Sequence, residues 1–415
     1  MATGGGVDAA ARSRRRPWAG RRIILGVGGG IAAYKSVQLA RDLTELGAIV
    51  DVVLTHSARS FVGPITFEAL TGRPVAGDIL APGHALDHVR LGREADVVCI
   101  APATADFLAR AANGQAGDTL TAVLLATRAP VILCPAMNDA MFTHPATAAN
   151  LRRLADYGYE IVGPAVGPLA FGEGEGPGRM EAIDVIVQHV GRALEGRTPY
   201  TGRRVVVTAG PTREAVDPVR FLSNRSSGRM GFALAAAAWR RGADVLLVAG
   251  PTQLAPPHGP RIERVETAAE MESAVVSAVA TTDALFMSAA VADFRPAGAA
   301  GRKIKKSERP TSIPLEPAPD VLASSIAHRR RGMVAVGFAL ETDDARENAR
   351  EKLRAKALDM IVLNEATSPD AGFEVPTNRV VLIDREGGED TLPLMLKEEV
   401  AEVILDRAAS WLPTE

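Results

Sequence analysis

Short apolar runs broken by glycine alternate with helical stretches along most of this chain. Arg22-Ile23-Ile24-Leu25-Gly26-Val27 reads as a buried strand. Gly28-Gly29-Gly30 follows and opens a helix to about Leu46. Gly47 ends that helix, and Ile49 to Leu54 is the next strand. Strand, glycine turn, helix, strand is a βαβ unit with a right-handed crossover. Ala95 to Ala101 and Pro130 to Cys134 are further buried strands, and Ile183 to Leu194 reads as a helix packing back on this half. A polar stretch broken by Pro and Gly then reads as a linker, Glu195 to Gly202. A second series follows: strands at Val205, Val245 to Val248, Val334 to Phe338 and Met360 to Leu363, a strand running into a loop over Ala284 to Asp293, and a helix from Phe232 to Arg241. The pattern predicts an α/β fold of two doubly wound domains, residues 21–194 and 204–415, joined by 195–203 and preceded by a tail at 1–20.

Composition narrows the class. The chain has 415 residues, 47% of them apolar, so there is material for two sizeable cores. Its formal net charge of −2 gives no general attraction to nucleic acid or membrane. Its two cysteines, Cys99 and Cys134, both lie in apolar runs, which fits a reducing cytoplasm and no disulfide framework. No apolar run reaches the length of a membrane span. Arg12 to Pro17 is basic, but no apolar segment follows, so the first 20 residues read as a disordered tail.

Ligands of open α/β sheets bind beyond the carboxyl ends of the strands. That rule places Gly28 to Gly30, Thr55, Thr104 and Asn138 around one crevice. Amides at the helix start after the glycines can hold a phosphate, although an empty tight turn would look similar. There is no GxGxxG with an acidic residue after the second strand, so a mononucleotide fits better than a dinucleotide. His88, placed just before a strand, is a surface residue or a catalyst. Leu169 to Met180 carries four glycines and forms no helix or strand cheaply, so it is a linker loop or a lid.

The second half opens on Thr208 to Gly231, a long loop between a strand and a helix, rich in hydrogen-bonding side chains. Arg302-Lys303-Ile304-Lys305-Lys306 is a solvated charge run or a lid for a triphosphate. Lys352 and Lys356 are four apart on a helix and face the same way.

The elements GGIAAYK, H-x-x-L at His88, APATADFLAR, PAMN and GPGRM resemble, in this order, the flavin-dependent cysteine decarboxylases, which include phosphopantothenoylcysteine decarboxylase. The resemblance implies a flavodoxin-like unit assembled as trimers with FMN near a subunit interface. It implies His88 as the catalytic histidine and Asn138 as the holder of the substrate carboxylate. Gly29, Gly30, Thr55 and Thr104 would lie around the flavin. The chemistry suits these types. A cysteine carboxylate has no electron sink, and oxidation of the thiol to a thioaldehyde supplies one. Loss of CO₂ then gives an enethiol, and reduction returns the thiol. One departure stands out: Phe171 occupies the place where the decarboxylases carry a lid cysteine as proton donor. Cys134 is a conceivable substitute, or a core thiol.

AGPTREAVDPVRFLSNRSSGRMG, AAVADFRP, KIKK, PAPDVL, VGFALET and the Lys352/Lys356 pair resemble phosphopantothenate–cysteine ligase. The resemblance implies a CTP site of Met287, Ser288, Ala289, Asp293, Lys303, Pro319, Asp320, Val321, Leu322, Phe338, Lys352 and Lys356. Lys303 would be the catalytic lid lysine, Asn224 would handle the acyl intermediate and Arg220 the phosphopantothenate end. No carboxylate cluster has a metal-ligand pattern, so Mg²⁺ would ride largely on the triphosphate. The whole chain thus resembles the bacterial fusion of these two activities in coenzyme A synthesis. The resemblance implies a bifunctional cytoplasmic enzyme acting on 4′-phosphopantothenate, L-cysteine and CTP. It would be a homo-oligomer of trimeric flavin units and dimeric ligase units. Two rivals concern the first half: a flavin-binding regulatory or oligomerisation module, or a decarboxylase that releases the enethiol.

Overall fold

The computed structural model describes residues 16–77, 79, 84–169, 171–172, 174–196, 198–304, 312–341, 344–365 and 375–413. The chain divides into two compact units, Met1–Leu194 and Glu195–Glu415.

The first unit is built on five strands: β1 (Arg22–Val27), β2 (Ile49–Leu54), β3 (Val97–Ala103), β4 (Val131–Pro135) and β5 (Glu160–Ile161). They lie parallel in the order β2-β1-β3-β4-β5, the flavodoxin-like order. Helices α1 (Ala33–Glu45), α2 (Pro64–Thr71), α3 (Asp87–Glu94), α4 (Ala105–Ala112), α5 (Thr119–Ala126), α6 (Asp139–Thr143), α7 (Pro145–Asp156) and α8 (Ile183–Glu195) complete it. Alternation along β1 feeds two cores. Ile23, Leu25 and Val27 pack with Leu39 and Leu43 of α1 and Ile186 and Val190 of α8. Ile24 packs on the other face with Leu91, Phe107 and Val123 of α3, α4 and α5. Both faces are covered, so the strands read as continuous apolar runs.

Three expectations change here. Trp18 is buried in the first core, so part of the predicted tail belongs to that core. Its amide also donates to the Leu46 carbonyl at 3.2 Å. Residues 1–15 lie outside the described residues. His88 sits in helix α3 and not before a strand. The glycine-rich stretch forms an antiparallel hairpin, β6 (Ala165–Pro168) with β7 (Glu175–Arg179), because its glycines take the backbone angles that a tight reversal needs.

In the second unit, β8 (Arg204–Ala209) is followed by a small ribbon of β9 (Arg213–Ala215) and β10 (Phe221–Ser223), then α9 (Arg229–Arg240). The main sheet continues with β11 (Asp244–Ala249), β12 (Arg261–Arg264) and β13 (Ala284–Met287), with α10 (Ala268–Val279) between the last two. A second ribbon, β14 (Phe294–Pro296) with β15 (Leu315–Pro317), precedes α11 (Val321–Ser325). Then come β16 (Val334–Glu341), α12 (Ala345–Ala355), β17 (Met360–Glu365), β18 (Thr377–Asn378), β19 (Val380–Asp384), β20 (Glu389–Thr391), β21 (Met395–Leu396) and α13 (Lys397–Ala409). The sheet order β12-β11-β8-β13-β16-β17-β19-β20 is the Rossmann order extended by an antiparallel edge. Its topological switch lies between β8 and β13, where ligands of such sheets bind.

The stretch read as a linker is part of this second unit. Tyr200 is fully buried, and its hydroxyl donates to the Leu405 carbonyl at 2.7 Å. Thr198 donates to the Arg241 carbonyl at 2.6 Å. Nearby, α9 and α13 are clamped by charge: Arg241 pairs with Glu402 at 2.5 Å and with Asp406 at 2.7 Å, and Arg240 pairs with Glu402 and with Glu195. Among the described residues no helix is long and apolar enough to cross a membrane.

Candidate active sites

In the first unit the glycine turn, Thr55, Thr104 and Asn138 stand at the carboxyl ends of β1, β2, β3 and β4, as an open α/β sheet requires, whereas His88 lies in α3 and is not brought to them. The turn after β1 is tightly enclosed. A Cβ on Gly28 would lie 2.5 Å from the Pro102 carbonyl, and one on Gly29 would lie 2.2 Å from Ser57 Oγ. The Gly28 amide donates to Pro102 at 3.0 Å, whereas the amides of Gly29 and Gly30 make no hydrogen bond to the described residues. Backbone donors at such a turn suit an anion. Thr55 is buried, its hydroxyl lying 3.3 Å from the Val27 carbonyl and accepting from the Ala58 amide at 3.2 Å. It therefore shapes the crevice through the backbone. Thr104 caps α4 by accepting from the Phe107 amide at 3.3 Å, and its methyl borders Gly28 and Gly30.

Asn138 caps α6, its Oδ1 accepting from Ala140 at 2.9 Å. The hairpin leans on this loop: the Met137 amide donates to the Gly178 carbonyl at 2.9 Å, and a Cβ on Gly178 would meet the Met137 carbonyl at 2.1 Å. Phe171, near the hairpin tip, is fully exposed. His88 is half-buried, and its Nδ1 is buried without a hydrogen-bond partner. The neighbouring Asp87 carboxylate is held instead by His84 at 2.7 Å and Arg90 at 3.2 Å. Those contacts hold Asp87 below the usual carboxylate range, the His84 hydrogen bond foremost. Cys134 lies fully buried in β4, and its contact with Cys99 together with burial pushes its thiol well up. It is a core thiol in no position to donate a proton at the crevice. The free amides and the close glycine turn after β1 fit the phosphate of a mononucleotide such as FMN.

In the second unit a cavity of about 620 Å³ opens over the carboxyl ends of β13, β16 and β17. It is lined by every predicted nucleotide residue except Lys303, and by Asn224. The loop after β13 is stitched to the loop after β8. Ser288 donates to the Thr208 carbonyl at 2.8 Å, the Ala289 amide to Thr208 Oγ1 at 3.1 Å and the Ala292 amide to Thr212 Oγ1 at 3.0 Å. Gly231 lets α9 approach this floor, since a Cβ there would sit 2.5 Å from Ala209 Cβ. Asn224 donates to the carbonyls of Ala290 and Val291, both at 3.1 Å. Its amide hydrogens are thus occupied, which leaves Oδ1 as the group of this cavity-lining side chain that can accept.

Lys352 donates to the Phe338 carbonyl at 3.0 Å, tying α12 to β16. Lys356 pairs with Asp320, which caps α11 by accepting from the Ala323 amide at 2.9 Å. Burial opposes ionisation of Asp320, but Lys356 and the cap hold its carboxyl below the usual range.

Arg220 and Lys303 do not line the cavity. Arg220 pairs with Asp217, and the guanidinium holds that carboxyl well below its ordinary range. Arg220 also donates to the Ile304 carbonyl at 2.9 Å, and the Ile304 amide donates to Asp217 at 3.2 Å. The pair therefore anchors the chain beside the exposed Lys303. Lys305 and Lys306 lie outside the described residues. Sequence reasoning singled out the loop that holds Ser226, Ser227 and Arg229 without giving them a role, and it missed Asn364, Asn378 and Lys397; all of these line the cavity. Asn364 lies next to last in β17, at its carboxyl edge, a signal that would have found it. Among the described residues no group of three or more His, Cys, Asp or Glu could hold a metal.

Residues 11–195 match the flavoprotein family, and residues 200–412 match the DNA/pantothenate metabolism flavoprotein C-terminal domain. The coenzyme A biosynthesis bifunctional protein CoaBC of Vibrio cholerae is 44% identical over 391 residues, covering 93% of this chain and 97% of that protein. The CoaBC of Mycobacterium bovis is 45% identical over 407 residues, covering 94% and 97%. Among solved structures, the C-terminal domain of a coenzyme A biosynthesis bifunctional protein CoaBC is 37% identical, with TM-score 0.43 over 51% of this chain and 97% of that one. The FMN-dependent cysteine decarboxylase SpaF is 35% identical, with TM-score 0.35 over 41% and 98%. With both halves matched in order and relatives this similar along nearly their whole length, the chain belongs to the CoaBC family of bifunctional coenzyme A biosynthesis proteins.

Proposed function

We propose that this bifunctional enzyme of coenzyme A biosynthesis divides its two activities between its two units. The second unit is the phosphopantothenate–cysteine ligase and the first the phosphopantothenoylcysteine decarboxylase. The observation that carries the reading is the cavity at the Rossmann switch, lined by the predicted nucleotide residues.

In the ligase, a carboxylate oxygen of 4′-phosphopantothenate attacks the α-phosphorus of CTP. The bond to the β-phosphate breaks, giving an acyl-cytidylate and pyrophosphate. The cysteine amine then attacks the acyl carbon and CMP leaves. Lys352 and Lys356 border the nucleotide, and Phe338 offers it an apolar wall. Lys303 reaches the phosphates when its segment, anchored by Arg220 and Asp217, closes. Asn224 Oδ1 accepts from the cysteine amine and so aligns the nucleophile. Mg²⁺ carried on the triphosphate supplies further charge stabilisation.

In the decarboxylase, Gly29, Gly30, Thr55 and Thr104 shape the flavin crevice, and FMN supplies the oxidation that creates an electron sink at the substrate thiol carbon. His88 holds the thiol proton, its unpartnered Nδ1 leaving the ring free to orient on the substrate. Asn138 Nδ2 donates to the substrate carboxylate, and the hairpin resting on the Met137 loop shields the site. A purely regulatory flavin module is not favoured, because the relatives match across both halves. The compartment consistent with its cysteines is the cytoplasm.

Mass analysis of one reaction tests this: purified protein, 4′-phosphopantothenate, cysteine, CTP and Mg²⁺. 4′-Phosphopantetheine is the expected product. Accumulation of 4′-phosphopantothenoylcysteine would overturn the decarboxylase half, and a product two hydrogens lighter would identify an enethiol.

A further inference from the structure

Two of the elements that bound the ligase cavity are joined by a side chain that does not line it. Asp320, Val321 and Leu322 line the cavity from the start of α11, and Lys352 and Lys356 line it from the end of α12. Arg329 bridges these elements from outside the cavity wall. It opens a run of three arginines, yet Arg330 and Arg331 are exposed whereas Arg329 is half-buried. Its Nε and Nη2 donate to Ser325 Oγ at 3.1 and 3.0 Å, and Nη2 also donates to the Leu322 carbonyl at 3.1 Å. Ser325 is fully buried, and its hydroxyl donates to the same carbonyl at 2.7 Å. On the other side Nη1 donates to the carbonyls of Lys356 and Ala357, at 3.0 and 2.8 Å. Every nitrogen of the guanidinium is therefore engaged, and the group holds α11 and the end of α12 at once. Burial lowers its basicity, and the Asp359 charge partly offsets this.

These contacts close a ring. Asp320 pairs with Lys356, the Lys356 carbonyl accepts from Arg329, and Arg329 holds Leu322, which follows Asp320 by two positions. A planar fork fixes the spacing of its acceptors in a way that a flexible ammonium does not. The acceptors on α12 stand at its carboxyl end, where the helix dipole favours a cation. The chain leaves α12 through Ala357, whose φ of 47° lies in the left-handed region that a Cβ makes costly. The bond from Nη1 to the Ala357 carbonyl holds the chain in that turn. Leu358 comes next and packs over Gly337 of β16, where a Cβ would lie 2.6 Å from it. We propose that Arg329 is a positioning residue of the ligase. It sets the spacing of α11 and α12, and through them the places at which Asp320, Lys352 and Lys356 meet the nucleotide. It acts through these residues and not by contact with the reacting atoms.

The inference rests on placing CTP in this cavity, and the test separates the two. Steady-state ligase kinetics are measured in the full-length enzyme for CTP, cysteine and 4′-phosphopantothenate in turn. Arg329→Met keeps much of the side chain's bulk and none of its donors, and should raise the KM for CTP by about tenfold or more. The KM values for the other two substrates should stay within about twofold, and kcat within about threefold. Arg329→Lys should fall between the parent and Arg329→Met, because an ammonium can hold one element without spanning both. Ala357→Gly added to Arg329→Met should recover about threefold or more of the lost CTP affinity, because glycine takes the left-handed turn unaided. No recovery would overturn the route through Ala357. Decarboxylation of supplied 4′-phosphopantothenoylcysteine and the circular dichroism spectrum report that each variant is folded. Should Arg329→Met fail to fold, Arg329→Lys decides by the same comparison of KM values. An unchanged KM for CTP in the folded variants, with Phe338→Ala raising it, overturns this inference alone. An unchanged KM in Phe338→Ala as well overturns the nucleotide placement. A like rise in all three KM values would also overturn the inference, by showing that Arg329 supports the unit as a whole.

Discussion

At the scale of single residues, function depends on side chains that are absent as much as on those present. Gly29 sits where a methyl group would collide with Ser57 at 2.2 Å from Oγ and 2.7 Å from its backbone carbon. Gly29→Ala should displace the turn at the cost of roughly 1–3 kcal/mol. The protein should then purify with less bound flavin, read by its visible absorbance, while ligase turnover stays within about twofold. Equal flavin content in the variant would show that this turn does not border the cofactor. Not every such residue can be read from the sequence. Thr55, Thr104 and Asn138 were legible because the carboxyl-end rule needs only strand boundaries. Lys397 was not, since a lysine before Glu398 and Glu399 at a helix start has the pattern of a solvated surface. It follows β21, whose pairing with β18 sets Leu396 opposite Thr377, and it lines the cavity.

At the scale of elements, α9 and α13 carry a charge cluster that the sequence pattern concealed. Arg240 and Arg241 lie some 160 positions from Glu402 along the chain, and their hydrogen bonds to it span 162 and 161 residues. Burial works against a charged Glu402, but the two guanidinium groups outweigh it and hold the carboxyl below its usual range. A depressed folded-state value adds stability above the unfolded carboxylate pKa of about 4.3 and loses it as pH falls through the folded value. Glu402→Gln leaves two buried cations short of a counter-charge, so it should cost roughly 3–5 kcal/mol. In calorimetry at neutral pH the ligase unit should melt roughly 6–20 °C lower than in the parent. That gap should narrow as the pH falls through the lowered folded-state value of Glu402, where the parent also loses the charge. A gap independent of pH would show that packing, not charge, makes the difference. The hairpin β6–β7 was also concealed, because its strands are largely glycine and proline with no apolar alternation to announce them.

At the scale of the whole molecule, each unit has its own two-faced core and its own candidate site. The fold class was legible because buried parallel strands are continuous apolar runs in a fixed rhythm with helices. The join between the units was not, since Thr198 to Thr201 has the local chemistry of a linker and its burial depends on Leu405 and Arg241 far along the chain. Two sites imply that single-site variants should complement each other. His88→Asn should keep ligase activity, accumulate 4′-phosphopantothenoylcysteine and lose decarboxylation by about a hundredfold or more. Lys352→Ala should do the reverse. Mixed together with all substrates, the two proteins should again make 4′-phosphopantetheine, followed by mass analysis over time. No product from the mixture, with each variant retaining its remaining activity, would mean that the intermediate does not pass through solution.

The burial of Tyr200 bears on how the gene can be cut. A free-standing carboxyl-terminal half that starts at Arg203 would leave behind the aromatic ring filling its core and the hydroxyl that satisfies the Leu405 carbonyl. Removing such a ring costs roughly 3–5 kcal/mol, a large part of the stability of an ordinary domain. A half that starts at Glu195 carries its own keystone, including the carboxylate that pairs with Arg240 at 3.0 Å. The longer piece should express as a folded ligase and the shorter one should not, as compared by yield and melting point. The boundary at which the chain can be cut would then lie before Glu195, within the final turn of α8, and not in the Pro-Gly stretch that looks like a hinge.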